Sequence, residues 1–292
     1  MDGRILITGA SRGIGRATAL ELAKRGARLV LVARDEGKLL EVAGEVRDLG
    51  GTAQVVSMDL TSDASVLQGT GVVLEQGPVD VLLNNAGTCH QGTFLEQSEA
   101  QHSEEWQLNY HGALRIMQQL LPSMIARRRG RIINVSSLLG QSAAPTTANY
   151  SATKAALEAF SQGLRGEVAA LGISVEVFVA PHTQTELGHR VTMDGVVSVP
   201  VKYVARRLAA SVEFPRDRSY GSPVYRLLSW IVRAFPRFME RQMNKAARST
   251  LARSRPALAN SPAGAPGPLL PDPASTAWAH GRRARARSGT RP

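Results

Sequence analysis

Thr8-Gly9-Ala10-Ser11-Arg12-Gly13-Ile14-Gly15 stands almost at the start of the chain, behind the apolar run Ile5-Leu6-Ile7 and ahead of the helical pattern Ala17, Leu20, Leu22, Ala23. A strand, a glycine-rich turn and a helix, in that order, form the phosphate cradle of a nucleotide-binding βαβ unit. Each glycine answers a separate need. Gly9 lets the chain leave the strand in a conformation that a side chain resists. Gly13 lets the backbone approach a pyrophosphate, and Gly15 lets the helix pack closely on the sheet. The N–H groups at the start of the helix then face the phosphates.

Outward from this turn, apolar runs and helical patterns alternate. Strands are predicted at Arg4–Thr8, Arg28–Ala33, Ala53–Met58, Asp80–Asn84, Arg131–Ser136 and Ile173–Val179. Helices are predicted at Ile14–Arg25, Glu36–Leu49, Ala64–Gln76, Ser103–Arg127 and Asn149–Leu171. Such alternation predicts an α/β fold, a doubly wound parallel sheet of Rossmann type, with the ligand site at the carboxyl ends of the strands. Beyond it, Pro181–Pro200 reads as a loop or lid, Val201–Glu213 as a helix, Arg218–Gly221 as a short last strand and Val224–Met243 as a helix containing Pro236. The expected organisation is a dinucleotide-binding catalytic domain over 1–200, with basic helices over 201–255 that complete it or contact a membrane. A disordered tail rich in Pro, Ala and Arg is expected over 256–292.

The composition sets further bounds. The single cysteine, Cys89, excludes an intrachain disulfide framework and fits a reducing, cytoplasmic setting. No signal peptide is expected ahead of the first strand, and no apolar run is long enough to span a bilayer. The formal charge of +11 is unevenly placed: residues 1–201 sum to −3, residues 202–255 to +10 and residues 256–292 to +4. That asymmetry points to an anionic surface.

Tyr150 and Lys154 lie four apart at the start of a predicted helix and so share a face. A free tyrosine is too weak an acid for proton transfer at neutral pH, and a neighbouring ammonium is expected to lower its pKa. Ser137 ends a strand at the ligand edge of the sheet. Taken singly, Tyr-x-x-x-Lys is an exposed helix face and Ser137 a turn residue.

Together with the glycine turn, these residues sit in an ordered set: Asp59-Leu60, Asn84-Asn85-Ala86-Gly87, Asn109, Asn134-Val135-Ser136-Ser137 and Tyr150-Ser151-Ala152-Thr153-Lys154. In order and spacing the set resembles the short-chain dehydrogenase/reductase family over roughly residues 3–186. The resemblance implies that Tyr150 exchanges the proton at the substrate oxygen and Ser137 hydrogen-bonds that oxygen, with Ser136 as its rival. It implies that Lys154 binds the nicotinamide ribose and acidifies Tyr150, and that Asn109 positions a relay water. Gly9, Ser11, Arg12, Gly13, Ile14 and Gly15 then hold the phosphates, Asp59 and Leu60 the adenine, and Asn85, Ala86 and Gly87 the adenine ribose side. Asp59 alone reads equally as a cap for the next helix. The family usually has Pro-Gly and a later threonine after the sixth strand. This chain has Pro181-His182-Thr183-Gln184-Thr185, so Pro181 and Thr183 are expected at the nicotinamide and His182 is expected to face solvent.

The cofactor follows from the end of the second strand. Ala33-Arg34 stands there with no acid to accept from a ribose 2′-OH, and Arg34, helped by Arg12, offers a cation for a 2′-phosphate. NADP(H) is therefore expected, although Asp35 lies close by. No metal site is expected at Cys89-His90, which lack further spaced ligands.

Over Val224–Met243, Arg226, Arg233, Arg237 and Arg241 share an arc opposite Val224, Leu227, Leu228, Ile231, Val232, Phe235, Phe238 and Met239, with Trp230 at the boundary. This suits an interfacial membrane helix. A helix packed on the domain or on a twin subunit, or forming one wall of the substrate pocket, explains it equally well, and Pro236 either kinks the helix or starts a second one. Nucleic acid is excluded, because the arginines interleave with bulky aliphatics. The expected function is NADP(H)-dependent interconversion of a carbonyl and an alcohol on a small lipophilic substrate, in a homodimer or homotetramer. The alternative is a catalytically idle nucleotide-binding scaffold or membrane-attached partner.

Overall fold

In the computed structural model, which describes residues 3–259, seven parallel strands lie in the order β3-β2-β1-β4-β5-β6-β7. They are β1 (Arg4–Thr8), β2 (Arg28–Ala33), β3 (Thr52–Ser57), β4 (Val81–Asn84), β5 (Gly130–Ser137), β6 (Ile173–Ala180) and β7 (Arg218–Tyr220). The order reverses between β1 and β4, which opens a crevice at their carboxyl ends. The central strands are almost wholly buried because helices cover both faces of the sheet.

On one face, α1 (Gly13–Ala23), α2 (Glu36–Asp48) and α8 (Val201–Glu213) bury Leu22, Leu39, Val42 and Leu208 against Ile5, Ile7, Leu31 and Phe178. On the other, α3 (Asp63–Glu75), α5 (Gly112–Ala126) and α6 (Ala148–Val168) bury Val66, Ile116, Leu120 and Leu157 against Leu6, Val30, Leu82 and Ile132. A smaller cluster, including Val177, Val179, Tyr225, Val232 and Met239, seats the C-terminal helices α9 (Pro223–Ala234) and α10 (Pro236–Ala246). The chain through Arg255 forms one compact unit.

Three segments depart from expectation, and a fourth resolves an alternative left open at Pro236. The helix predicted over Ser103–Arg127 begins earlier, as α4 (Glu99–Trp106), because Ser98 and Gln101 form a reciprocal capping box. It then passes through a π-helical turn, Gln107–His111, before α5. The loop over Pro181–Pro200 contains a short helix, α7 (Glu186–Arg190), and is pinned by a bridge between Thr183 and Val199. Pro236 starts a second helix rather than kinking the first, since its ring cannot continue an α-helical ladder. Residues Pro256 to Ala259, expected in the tail, complete α11 (Arg248–Ala259). The rest of the expected tail lies outside the described residues.

Candidate active site

The glycine turn takes the form its sequence demands. Gly9 and Gly13 have φ of +65° and +57°, in the left-handed region. A Cβ on Gly15 would collide with Gly9 O and stand 2.6 Å from Asn85 Nδ2. The turn is braced from below by β4: Asn85 Nδ2 donates to Thr8 O (3.0 Å) and Gly9 O (3.3 Å). The Thr8 hydroxyl accepts the backbone N–H groups of Asn85 (3.0 Å) and Ala86 (3.1 Å). Asn85, expected on the adenine ribose side, thus shapes the turn. The first-turn N–H groups of α1 have no partners within the helix and open at the β1/β4 crevice, so these residues fit a dinucleotide's phosphates.

Arg34 is exposed at the end of β2, close enough to Asp59 for its charge to act there. Burial raises the Asp59 pKa, yet hydrogen bonds from Thr61 N–H and Oγ1, with the charges of Arg34 and Arg115, outweigh burial and hold the carboxyl below its usual range. The cap of α3 is Ser62 rather than Asp59. Arg12 donates to Glu186 of α7 at 2.7 Å, which ties the glycine turn to the loop after β6. In that loop Thr183 is buried and its hydroxyl donates to Pro181 O (2.7 Å). Thr185, absent from the sequence-based set, places its methyl 3.5 Å from where a Gly13 Cβ would stand.

His182 is not the solvent-facing histidine expected. Its ring is half-buried, with Nδ1 2.8 Å from Ser198 Oγ and Nε2 within 3.0 Å of Gly188 O and 2.9 Å of Val191 O. Two carbonyls at Nε2 require the proton there. Its backbone N–H donates to Tyr225 Oη (3.1 Å), so one residue fastens both ends of the loop and α9. A glycine has no side chain to do this, which explains the departure physically.

The chemistry-bearing residues gather at the carboxyl ends of β4, β5 and β6. Ser136 is spent, because its buried hydroxyl donates to Glu158 Oε1 (2.8 Å). Ser137 is the serine whose hydroxyl meets Tyr150. Lys154 Nζ lies 5.8 Å from the Tyr150 ring centre and donates to Val135 O (3.0 Å). Asn109, in the π-helical turn, uses both amide protons on Thr88 O (2.9 Å) and Thr153 Oγ1 (3.1 Å), while its Oδ1 accepts from Thr88 N–H (2.8 Å). Its side chain clamps the end of β4 to α6 and keeps no N–H for a relay water.

The electrostatics correct one expectation. Burial pushes the Tyr150 phenol above its ordinary pKa; Cys89 and Glu105 add to the rise, and only the Ser137 hydrogen bond opposes it. Burial also pushes Lys154 down to about 8, against the pull of Cys89 and Glu158. Acidification of Tyr150 by Lys154 is therefore not what the protein's own groups produce: desolvation of the phenolate outweighs a flanking ammonium that is itself desolvated. Cys89 is buried, and its thiol is pushed up by the same burial. Among the described residues no cluster of His, Cys, Asp and Glu has the form of a metal site.

Comparison with known proteins agrees with this architecture. The family model for short chain dehydrogenases matches residues 4–194. A ketoacyl reductase, HetN, of Nostoc is 38% identical over 200 residues, covering 67% of this chain and 68% of that protein. A fatty acyl-CoA reductase of Acinetobacter baylyi is 40% identical over 185 residues, covering 62% and 63%. This chain thus spans about two thirds of the length of these curated relatives. Among solved structures, a short-chain dehydrogenase from Sphingobium yanoikuyae in complex with NADPH superposes with a TM-score of 0.70 at 27% identity, covering 91% of this chain and 100% of the other. A gluconate 5-dehydrogenase from Burkholderia cenocepacia, in complex with NADP and tartrate, gives 0.69 at 28% identity, covering 75% and 93%. The chain belongs to the short-chain dehydrogenase/reductase family of oxidoreductases.

Proposed function

We propose that this chain is an NADP(H)-dependent oxidoreductase that interconverts a carbonyl and an alcohol on a small lipophilic substrate. The observation that carries the reading is the meeting of the Ser137 hydroxyl, at the carboxyl end of β5, with the Tyr150 phenol, beside Lys154. A bound nicotinamide supplies or receives the hydride. Tyr150 gives or takes the proton at the substrate oxygen. Ser137 holds that oxygen in line, and Lys154 presents its ammonium to the cofactor ribose. The reductase names of the relatives and the NADP(H) bound in the structural neighbours support this reading. Arg34 supports the 2′-phosphate form, since its exposed guanidinium stands where an NAD site requires an acid. A homodimer or homotetramer through the long helices α5 and α6 belongs to the same reading, and light scattering checks it.

The test is NADPH consumption across a panel of fatty-chain, aromatic and steroid ketones. Arg34→Ala is expected to weaken NADPH binding about tenfold to a hundredfold, the range of one charge-assisted contact, while leaving NADH binding unchanged. Equal weakening for both cofactors removes the 2′-phosphate assignment. No consumption of NADPH with any ketone in the panel removes the reductase reading.

We also infer that α9 and α10 rest on an anionic lipid surface. Tyr225, Ser229, Val232 and Met239 are buried against the domain, so packing accounts for part of the apolar arc. Val224, Leu227, Trp230, Phe235 and Phe238 remain more than half exposed, flanked by exposed Arg226, Arg233, Arg237 and Arg241. Exposed aromatics beside arginines match an interface of acyl chains and acidic headgroups. No described helix is long and apolar enough to cross a membrane. In flotation with phosphatidylserine vesicles, the protein is expected to rise with the lipid, and Trp230→Glu/Phe238→Glu to remain below. Equal flotation of the two proteins refutes the contact.

A further inference from the structure

Helix α9 lies far beyond Tyr150 in the chain, yet its inner face reaches both loops that frame the site. Tyr225, Ser229 and Val232 fall within one arc of the helix and are buried, while Val224, Leu227 and Trp230 lie on the opposite side and are exposed.

The first loop follows β5 and its Ser137. Ser229 Oγ stands 2.5 Å from Oε1 of Gln141, four residues beyond Ser137. The direction of that bond is fixed. Gln141 Nε2 meets both oxygens of Glu158 at 3.3 Å, and that carboxylate, paired with Arg218 at 2.6 Å, only accepts. The Gln141 oxygen therefore faces α9 and takes the single Ser229 proton, which leaves Tyr220 Oη, 3.3 Å away, to donate to Ser229. Between Ser137 and Gln141 the chain makes one tight turn, Leu138–Gly140. Leu138 is buried in the same apolar cluster as Tyr225, Val232 and Met239. The N–H of Leu139 donates to Ser137 Oγ at 3.3 Å, so the turn holds that oxygen and leaves its proton to be given elsewhere.

The second loop follows β6. Where it leaves the sheet, the Tyr225 hydroxyl accepts the backbone N–H of His182 at 3.1 Å, one residue before the buried Thr183. We propose that Ser229 and Tyr225 are positioning residues for the reaction. Ser229, through Gln141 and the Leu138–Gly140 turn, sets the direction of the Ser137 hydroxyl. Tyr225, through the His182 backbone, sets the loop that meets the nicotinamide. The inference deepens the proposed function and rests on it. Losing either hydroxyl leaves a buried partner unpaired and frees its loop to shift, and a misplacement of about 1 Å at reacting groups costs about a hundredfold in rate.

Because the two contacts leave one helix face for different loops, hydrogen–deuterium exchange of the full chain, without cofactor or substrate, separates them. Ser229→Ala is expected to speed exchange over residues 138–142 about tenfold and to leave residues 182–185 unchanged, and Tyr225→Phe to do the reverse. In turnover, Ser229→Ala is expected to lower kcat for a ketone about tenfold with the KM for NADPH within about twofold, whereas Tyr225→Phe raises that KM about fivefold with a smaller loss of kcat. Exchange unchanged in both loops, or raised alike in both by each variant, overturns the proposal, since α9 then only props the domain. Separate exchange effects with unaltered kcat and KM overturn it as well. Separate exchange effects in a protein that turns over no ketone uphold the hold of α9 on the two loops and remove the oxidoreductase reading instead.

Discussion

Tyr150→Phe is expected to lower kcat by about three orders of magnitude, or about 4 kcal/mol of transition-state stabilisation, while NADPH binding stays within about twofold of the unaltered protein. The reason is positional. The Tyr150 phenol is the acidic proton that meets Ser137, and Ser136 is already committed to Glu158. Phenylalanine keeps the ring and its packing, and the glycine turn that grips the phosphates is untouched. The measurement is kcat for a ketone of the panel, paired with NADPH binding by fluorescence. A variant that retains a tenth or more of the rate refutes Tyr150 as the proton donor.

Glu176→Ala is expected to cost about 3–5 kcal/mol of stability, seen as a large fall in the urea midpoint. Glu176 is 1% exposed and its partner Arg131 8% exposed, with Nη2 to Oε2 at 2.5 Å. Arg131 also donates to Phe214 O at 3.1 Å, and Ser219 donates to the other Glu176 oxygen. The pair joins β5 to β6 and β7, and so fixes the strand from which the His182 loop leaves. Removing the carboxylate strands a guanidinium in a place that water cannot reach. The double replacement Arg131→Met/Glu176→Leu is expected to recover most of the loss, because it removes both charges and refills the volume. An unchanged urea midpoint for Glu176→Ala, or a double variant no more stable than the single one, refutes this account.

Much of this molecule is written in short-range pattern. The alternation of apolar runs with helical spacing depends on a few consecutive residues at a time, which is why the strands and most helices appear within a residue or two of where the sequence places them. The early start of α4 was also legible, in the Ser98-x-x-Gln101 spacing of a capping box. The π-helical turn at Asn109 was not. It depends on where Thr88 and Thr153 come to stand around that side chain, and neither is a sequence neighbour of it.

The site divides in the same way. Glycines in left-handed turns, and a tyrosine and lysine one helical turn apart, are local facts, and the sequence by itself determined them along with the fold that follows from its alternation. Which serine is free, what His182 fastens, how Arg12 pairs and what charge surrounds Tyr150 were decided only when distant segments packed together. The sign of the Tyr150 shift is the clearest instance. Spacing brings Lys154 near, but desolvation of the phenol and the nearness of Glu105 arise only when distant segments pack together.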